Sequence, residues 1–255
     1  MNRSFYIGLT FFGLTNLSVF AEPTNIAEDD ASSYGSSWES NKGNGTGFGN
    51  WIETSEGNDE NRHSGFFIAT TDNNKDLNGI AKDGKAFGLY ANGSGFEQAV
   101  AYRSFDKPLA VGDSFSFMME TGNFEKKFDK DEGGGAIGLI LRSGNATDSP
   151  ADYNKNALFE IGHYQGKSNY QIYDGSDKPD SGVPFTDQGI SVTVTITGRD
   201  SYDLEIQTMK DKNVIKLPGR KLSSNGSIES FAIFDRNGEK YDGFFNQFQV
   251  TRDSK

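Results

Sequence analysis

The chain has 255 residues, with 36 acidic and 25 basic side chains and a net charge of −11. An acidic surface of this kind repels nucleic acid and anionic membranes, so neither is expected as a partner. The chain has no cysteine and only two histidines, His63 and His163. These counts exclude disulfides, zinc sites of the cysteine type and a three-histidine catalytic centre.

The first 21 residues have the layout of a cleavable secretory signal. Arg3 gives a positive start, 5–20 is mostly apolar without an acid, and Val19-Phe20-Ala21 offers small residues at the cleavage positions. The apolar stretch is short and interrupted, so a spanning anchor is disfavoured. We expect cleavage after Ala21 and a secreted or periplasmic protein. The mature chain would have 24 basic and 36 acidic side chains and a net charge of −12.

Beyond the signal, residues 22–44 are predicted to form a polar leader and 45–255 a single domain. Aromatic residues such as Tyr34 and Trp38 indicate that the later half of this polar stretch packs along the domain. The 31 glycines and 21 phenylalanines favour strands and turns. Short apolar runs alternate with turn residues, which predicts an all-β, antiparallel jelly-roll sandwich. The predicted strands are Gly65–Thr70, Ala86–Ala91, Gln98–Phe105, Asp113–Gly122, Gly135–Arg142, Ala157–Tyr164, Ser168–Tyr173, Ile190–Thr197, Ser201–Thr208, Asn213–Leu217, Ile228–Asp235 and Gly243–Val250.

Two of these strands carry a clear hairpin signal. In 191–197 valine and isoleucine alternate with serine and threonine, and Tyr202, Leu204 and Ile206 repeat the period after a turn at 198–200. Alternation of this kind is typical of strands with one buried face. The pair is therefore predicted to be antiparallel.

Four consecutive strands, 113–122, 135–142, 157–164 and 168–173, are expected to pair as a meander. Alternation would then gather polar and aromatic side chains on one exposed sheet surface. Aromatic rings stack on sugar C–H groups, and charged or amide groups hold the hydroxyls, so this surface is a candidate carbohydrate site. The alternative is an ordinary solvent-facing ion cluster. The candidates are Glu120, Arg142, Glu160, Tyr164, Gln171 and Tyr173.

Trp51 is a further stacking candidate, with a place in the core as the alternative. If the protein is an enzyme, the catalytic candidates are Glu120, Glu160 and Tyr164. A glycosidase needs two carboxylates across the scissile bond. Arg142 between the two glutamates would keep both ionised and remove the general acid. His163 and Tyr164 are neighbours in a strand and so point to opposite faces. No phosphate loop or nucleophile elbow occurs, and no organic cofactor is expected.

The run 72–79 places oxygen ligands at alternate positions, as calcium-binding loops do, and is therefore a candidate calcium site. The candidate ligands are Asp72, Asn74, Asp76 and Asn78. The run departs from the EF-hand pattern at Leu77, where the turn glycine would stand. A solvated turn rich in Asp and Asn is the alternative reading. A second oxygen-rich stretch lies at 129–132.

Several glycine-aromatic phrases resemble bacterial extracellular domains of the concanavalin A-like lectin/glucanase type. They lie at Gly45–Trp51, Ala86–Asn92, Leu158–Glu160, Ser168–Tyr170 and Phe244–Phe248. The resemblance implies a jelly-roll sandwich and, by analogy of fold, glycan binding. The chain lacks the Glu-x-Asp-x-x-Glu run of laminarinase-like glucanases and the Arg-(Ser/Thr)-Glu and Gln-Ile-His runs of alginate lyases.

The leading hypothesis is therefore a non-catalytic domain that binds a polysaccharide. The first alternative is a polysaccharide lyase or glycosidase on the same fold. The second is an extracellular matrix or surface subunit that assembles through sheet edges, with or without the help of bound calcium.

Overall fold

A computed structural model describes residues 22–57, 63–93, 95–122, 134–237 and 241–253. The predicted signal, 1–21, and the oxygen-rich stretch at 129–132 lie outside these ranges. Within them no helix has the length and apolarity needed to cross a bilayer. The strands are β1 (Thr24–Asp29), β2 (Ile52–Gly57), β3 (Ser64–Thr70), β4 (Lys85–Ala91), β5 (Glu97–Leu109), β6 (Asp113–Thr121), β7 (Ala136–Arg142), β8 (Ala157–Tyr164), β9 (Asn169–Tyr173), β10 (Asp180–Pro184), β11 (Ile190–Ile196), β12 (Ser201–Thr208), β13 (Val214–Lys221), β14 (Ile228–Arg236) and β15 (Gly243–Arg252).

These strands form two antiparallel sheets. The eight-stranded sheet runs β13-β12-β11-β6-β15-β4-β3, with β1 beside β15, and the seven-stranded sheet runs β10-β9-β8-β7-β14-β5-β2. Strands far apart in sequence are neighbours in both, since β14 lies between β7 and β5 and β15 between β6 and β4. Two packed sheets joined by such crossovers make a jelly roll. The predicted all-β, antiparallel sandwich is confirmed.

Each of the twelve predicted strands has a counterpart, because alternation marks a strand wherever one face is buried. The β11–β12 hairpin is confirmed, with Val194 opposite Leu204 and Ile196 opposite Tyr202. Three strands were not predicted: β1, β2 and β10. In residues 22–44, β1 pairs with β15, and Trp38 is buried in the core, where its aromatic character led us to expect packing on the sandwich.

The predicted meander is only partly right. β7, β8 and β9 are consecutive neighbours in the seven-stranded sheet, but β6 belongs to the other sheet, between β11 and β15. The chain crosses from one sheet to the other between β6 and β7. Alternation within a strand defines its two faces but does not reveal which sheet the strand joins.

The core between the sheets is rich in phenylalanine and is crossed by one buried ion pair. Asp29 of β1 accepts a hydrogen bond from the Arg103 guanidinium of β5, and both side chains are fully buried. Tyr34 donates to the same carboxylate at 2.8 Å, and Arg103 Nε donates to the Gly49 carbonyl at 2.7 Å. The pair links the two sheets and fixes the N-terminal segment to the sandwich. Burial raises the pKa of Asp29, and Arg103 opposes that rise.

Candidate functional site

Five of the predicted site residues share the outer face of the seven-stranded sheet, which points away from the core. Residues directly opposite each other in a sheet lie on the same face. Glu160 is opposite both Ile140 and Tyr173, Gln171 is opposite Gly162, and Tyr164 is opposite Ala136. Strand alternation places Arg142 on the same face as Ile140. The residues together on this face are Arg142, Glu160, Tyr164, Gln171 and Tyr173.

Most of this face is covered by the connection between β7 and β8, residues 143–156, which we call the strap. Beneath it lie outward-pointing apolar side chains of β5, β7 and β14 with no exposed surface. They form a second, smaller apolar cluster with Tyr153 of the strap, whose ring centroid is 4.9 Å from that of Phe234. The covered side chains are Val100, Tyr102, Ile140, Ala232 and Phe234.

Hydrogen bonds hold the strap along its length. Tyr102 Oη donates to the Ser149 carbonyl and Gln98 Nε2 to the Pro150 carbonyl, each at 2.7 Å. Arg236 Nη1 donates to the Tyr153 hydroxyl at 2.9 Å. Releasing the strap would break these partly buried hydrogen bonds and expose the apolar side chains beneath it to water.

Arg142 is one of the residues that the strap hides. Its guanidinium lies 4.9 Å from the Tyr102 ring centroid, and its Nη2 donates to the Asp152 carbonyl at 3.3 Å. Burial lowers its pKa. Arg142 lies on the predicted face, but its contacts are with the strap and not with solvent. The prediction that Arg142 lies between Glu120 and Glu160 is wrong.

The less covered part lies on β8 and β9 and is formed by the partly buried Glu160 and Tyr164 and the exposed Tyr173, which we call the tyrosine patch. Tyr164 also packs against the covered cluster. Tyr173 is 43% exposed and is the only aromatic among the exposed large hydrophobic residues of the described ranges. The rings of Tyr164 and Tyr173 are 5.2 Å apart and nearly perpendicular, at 81°. The Tyr164 hydroxyl donates to the Glu160 carboxylate.

Gly162 makes the contact between Tyr164 and Glu160 possible. Side chains four residues apart in a strand share a face but are about 13 Å apart along it. A Cβ on Gly162 would lie 3.2 Å from Tyr164 Cε2, so the ring extends across the glycine towards Glu160. Gln171, opposite Gly162, is nearly buried and donates to the Asn169 carbonyl at 2.9 Å.

The charge of Glu160 is set by its surroundings. Burial raises its pKa, while the Tyr164 hydroxyl and the positive charge of Arg236 oppose the rise. Sequence reasoning missed Arg236 and Tyr153. Arg236 follows Phe234 by two positions and so shares its face, but only the position of β14 beside β7 brings it near Glu160. Tyr153 lies in a polar connection without a strand pattern.

Glu120 does not belong to this site, contrary to the prediction. It is on β6 in the eight-stranded sheet, where loop 71–84 covers it. Its carboxylate is fully buried and accepts backbone hydrogen bonds from Asn78, Gly79 and Ile80 at 2.8 to 3.2 Å. Burial raises its pKa, and these bonds lower it. Glu120 and Glu160 therefore cannot act as a pair across one glycosidic bond.

Trp51 is in the core and not on a binding surface. It is fully buried, with its ring 5.0 Å from that of Trp38 and 5.5 Å from that of Phe248. Its Nε1 donates to the Tyr34 hydroxyl at 3.2 Å. The alternative reading of this residue as core is the correct one, and its stacking role is excluded in this fold.

The predicted calcium loop connects β3 and β4. Asn74 Oδ1 accepts a hydrogen bond from the Thr70 amide at 3.1 Å, and the Asn78 amide donates to Glu120. Asp72 and Asp76 are exposed. Among the described residues no three His, Cys, Asp or Glu side chains are grouped as metal ligands. These residues fit a capped, solvated turn better than a cation site, and calcium binding stays a prediction.

His163 and Tyr164 face opposite sides of β8, as expected. His163 is buried in the core, 4.2 Å from the Phe185 ring, whereas Tyr164 is on the outer face. Burial lowers the pKa of His163 to about 4. The two side chains therefore cannot act together on one substrate.

Comparisons with known proteins support the fold. No protein-family model matches the chain, and no curated protein matches its sequence. A carbohydrate esterase from the Shiga toxin-encoding bacteriophage phi24B is similar in structure, with a TM-score of 0.51, 12% identity and coverage of 91% of this chain and 100% of that one. At this identity the similarity shows the fold alone, a jelly roll of two antiparallel sheets. The resemblance predicted from the sequence is thus confirmed at the level of the fold.

Two lectin structures are similar at lower TM-scores. The VIP36 exoplasmic/lumenal domain in its Ca²⁺/Man3GlcNAc-bound form has a TM-score of 0.44 at 10% identity, covering 75% of this chain and 84% of that one. A lectin from Bauhinia forficata in complex with GalNAc has a TM-score of 0.40 at 11% identity, covering 75% and 99%. At these identities the similarity concerns the fold alone.

Proposed function

We propose that this protein binds glycans at the tyrosine patch. The observation that carries the proposal is the exposed ring of Tyr173, set at 81° to the half-buried ring of Tyr164 beside a carboxylate. Because a similar fold by itself does not define a ligand, the proposal depends on these three side chains.

The patch has the chemistry that sugars require. A pyranose ring presents C–H groups that stack on an aromatic face, and its hydroxyls donate to carboxylate oxygens. Two perpendicular rings offer contacts from two directions, so they favour one orientation of the sugar. The net charge of −11 favours neutral glycans over strongly anionic ones.

The test begins with a glycan array and measures affinity for the best ligand by calorimetry. Tyr173→Ala is expected to weaken binding about tenfold, because loss of one stacked ring costs about 1.4 kcal/mol. Its melting temperature should change little, since the ring is 43% exposed. Tyr90→Ala is the matched control: it makes the same change on the eight-stranded sheet and should leave affinity unchanged.

Two results would contradict the proposal. One is an array without any bound glycan. The other is equal affinity for the native protein and Tyr173→Ala, which would place the ligand elsewhere on the molecule.

The proposal includes export. The positive Arg3, the apolar stretch 5–20 and the small residues before Glu22 support cleavage after Ala21. Protein recovered outside the cytoplasm should begin at Glu22 on N-terminal sequencing. Recovery only inside cells with Met1 retained would contradict it.

A further inference from the structure

The strap leaves only part of the outer face of the seven-stranded sheet accessible, so the accessible width is much smaller than the width of the sheet. The sheet extends across seven strands, about 29 Å at the usual spacing between strands. Under the strap the outer side chains of β5, β14 and β7 are inaccessible, including Tyr102 and Phe234. The open part begins at β8 and continues to β10, about 10 Å.

The strap also closes the patch at the start of β8. Its last residues lead directly into Ala157, three positions before Glu160. Arg236 Nη1 donates to the Tyr153 hydroxyl at 2.9 Å, and Tyr153 belongs to the same apolar cluster as Ile140, which is directly opposite Glu160. A wall of strap residues therefore lies beside Glu160 on the side of β7 and at the beginning of β8.

This wall is firmly anchored. The Ser230 hydroxyl donates to the Gly144 carbonyl at 2.7 Å, and the Ala146 amide donates to the Ser104 hydroxyl at 2.9 Å. Together with the bonds at Ser149 and Pro150, these contacts join the strap to β5 and β14. A ligand would have to break several of these partly buried hydrogen bonds to pass beneath the strap.

We infer that the tyrosine patch recognises the ends of glycan chains and short oligosaccharides, not internal segments of a polysaccharide, because the strap anchored on Tyr102, Phe234 and Arg236 blocks the path of a chain across the sheet. The inference rests on the proposed function and specifies its ligand class. Tyr153 acts here as a specificity-determining residue: it closes the patch beside Glu160.

The experiment uses the sugar that the array identifies, as a series from disaccharide to hexasaccharide and as an insoluble polymer. Affinity by calorimetry should stop improving at the trisaccharide, because further units would extend beyond the patch. The polymer is then partly hydrolysed to double its chain ends at constant mass. The binding capacity per unit mass of polymer should double with the number of chain ends.

Replacing Ser149–Tyr153 by glycines tests the strap directly. In this variant the ratio of hexasaccharide affinity to trisaccharide affinity should be higher than in the native protein. The melting curve shows whether it folds. Asn145→Gly, a glycine substitution at an exposed position of the strap outside the wall, serves as its control and should retain the native length dependence.

The outcomes separate the two proposals. Affinity that continues to rise up to the hexasaccharide, or a capacity that ignores the number of chain ends, would overturn the inference and leave glycan binding intact. A native protein that binds no member of the series, nor the polymer, would overturn the proposed function and the inference together. These readouts do not depend on whether the glycine variant folds.

Discussion

His163 is expected to make the core sensitive to acid. The side chain is 1% exposed and packs against the rings of Phe185 and Tyr170. Burial lowers its pKa from 6.5 to about 4. Between these two values the unfolded chain binds a proton that the folded protein does not, so stability falls as pH falls through this window. The difference in pKa corresponds to a loss of about 3 kcal/mol by pH 4.

The assay is urea unfolding of the native protein and of His163→Phe, at intervals from pH 7 to pH 4. Phenylalanine keeps a ring packed against Phe185 and Tyr170 but cannot take up a proton. Buried carboxyl groups with raised pKa values titrate in both proteins, so the difference between the two free energies of unfolding isolates His163. That difference should shift by about 3 kcal/mol in favour of the variant.

Parallel stability curves over this pH range would refute the reasoning. They would mean that the imidazole keeps its proton affinity on folding, so that burial is compensated. An NMR titration of the imidazole gives the same answer independently, with a midpoint near 4 expected and a midpoint near 6.5 in contradiction.

Two further predictions concern buried charge. Arg103→Met should lower the free energy of unfolding by about 3–5 kcal/mol, measured with urea, because it leaves the Asp29 carboxyl group buried without its partner. An unchanged midpoint would contradict this account of the core. Glu120→Gln should cost about 1–3 kcal/mol, because an amide nitrogen replaces an acceptor of backbone hydrogen bonds. Glu120→Gln should leave glycan affinity unchanged. A loss of affinity at constant stability would contradict binding at the tyrosine patch, which lies on the other sheet.

The strands could be predicted from the sequence because burial of one face imposes a period of two. The β11–β12 hairpin is the clearest case, since its members are adjacent in the chain and the turn between them is short. β10 was missed because its five residues include a glycine and a proline, and β1 because its polar flanks hide a short apolar pattern.

The candidate site could be predicted only within consecutive strands. Glu160, Tyr164 and Tyr173 are on adjacent strands joined by short connections, so alternation alone places them together. Glu120 was misplaced because the chain changes sheets between β6 and β7, and a local period carries no information about that change. The strap could not be foreseen, because its cover over the sheet depends on β5 and β14, which are distant in sequence.

The pairing of β1 with β15 brings the two ends of the described chain side by side. Thr24 is directly opposite Arg252 in the eight-stranded sheet. A short linker could therefore join the ends, and a circular permutant opened at the exposed turn around Lys212 should keep every strand pairing. The same geometry suits insertion of the domain into a loop of a host protein. In either arrangement the covalent attachment leaves from the eight-stranded sheet, whereas the tyrosine patch lies on the seven-stranded sheet.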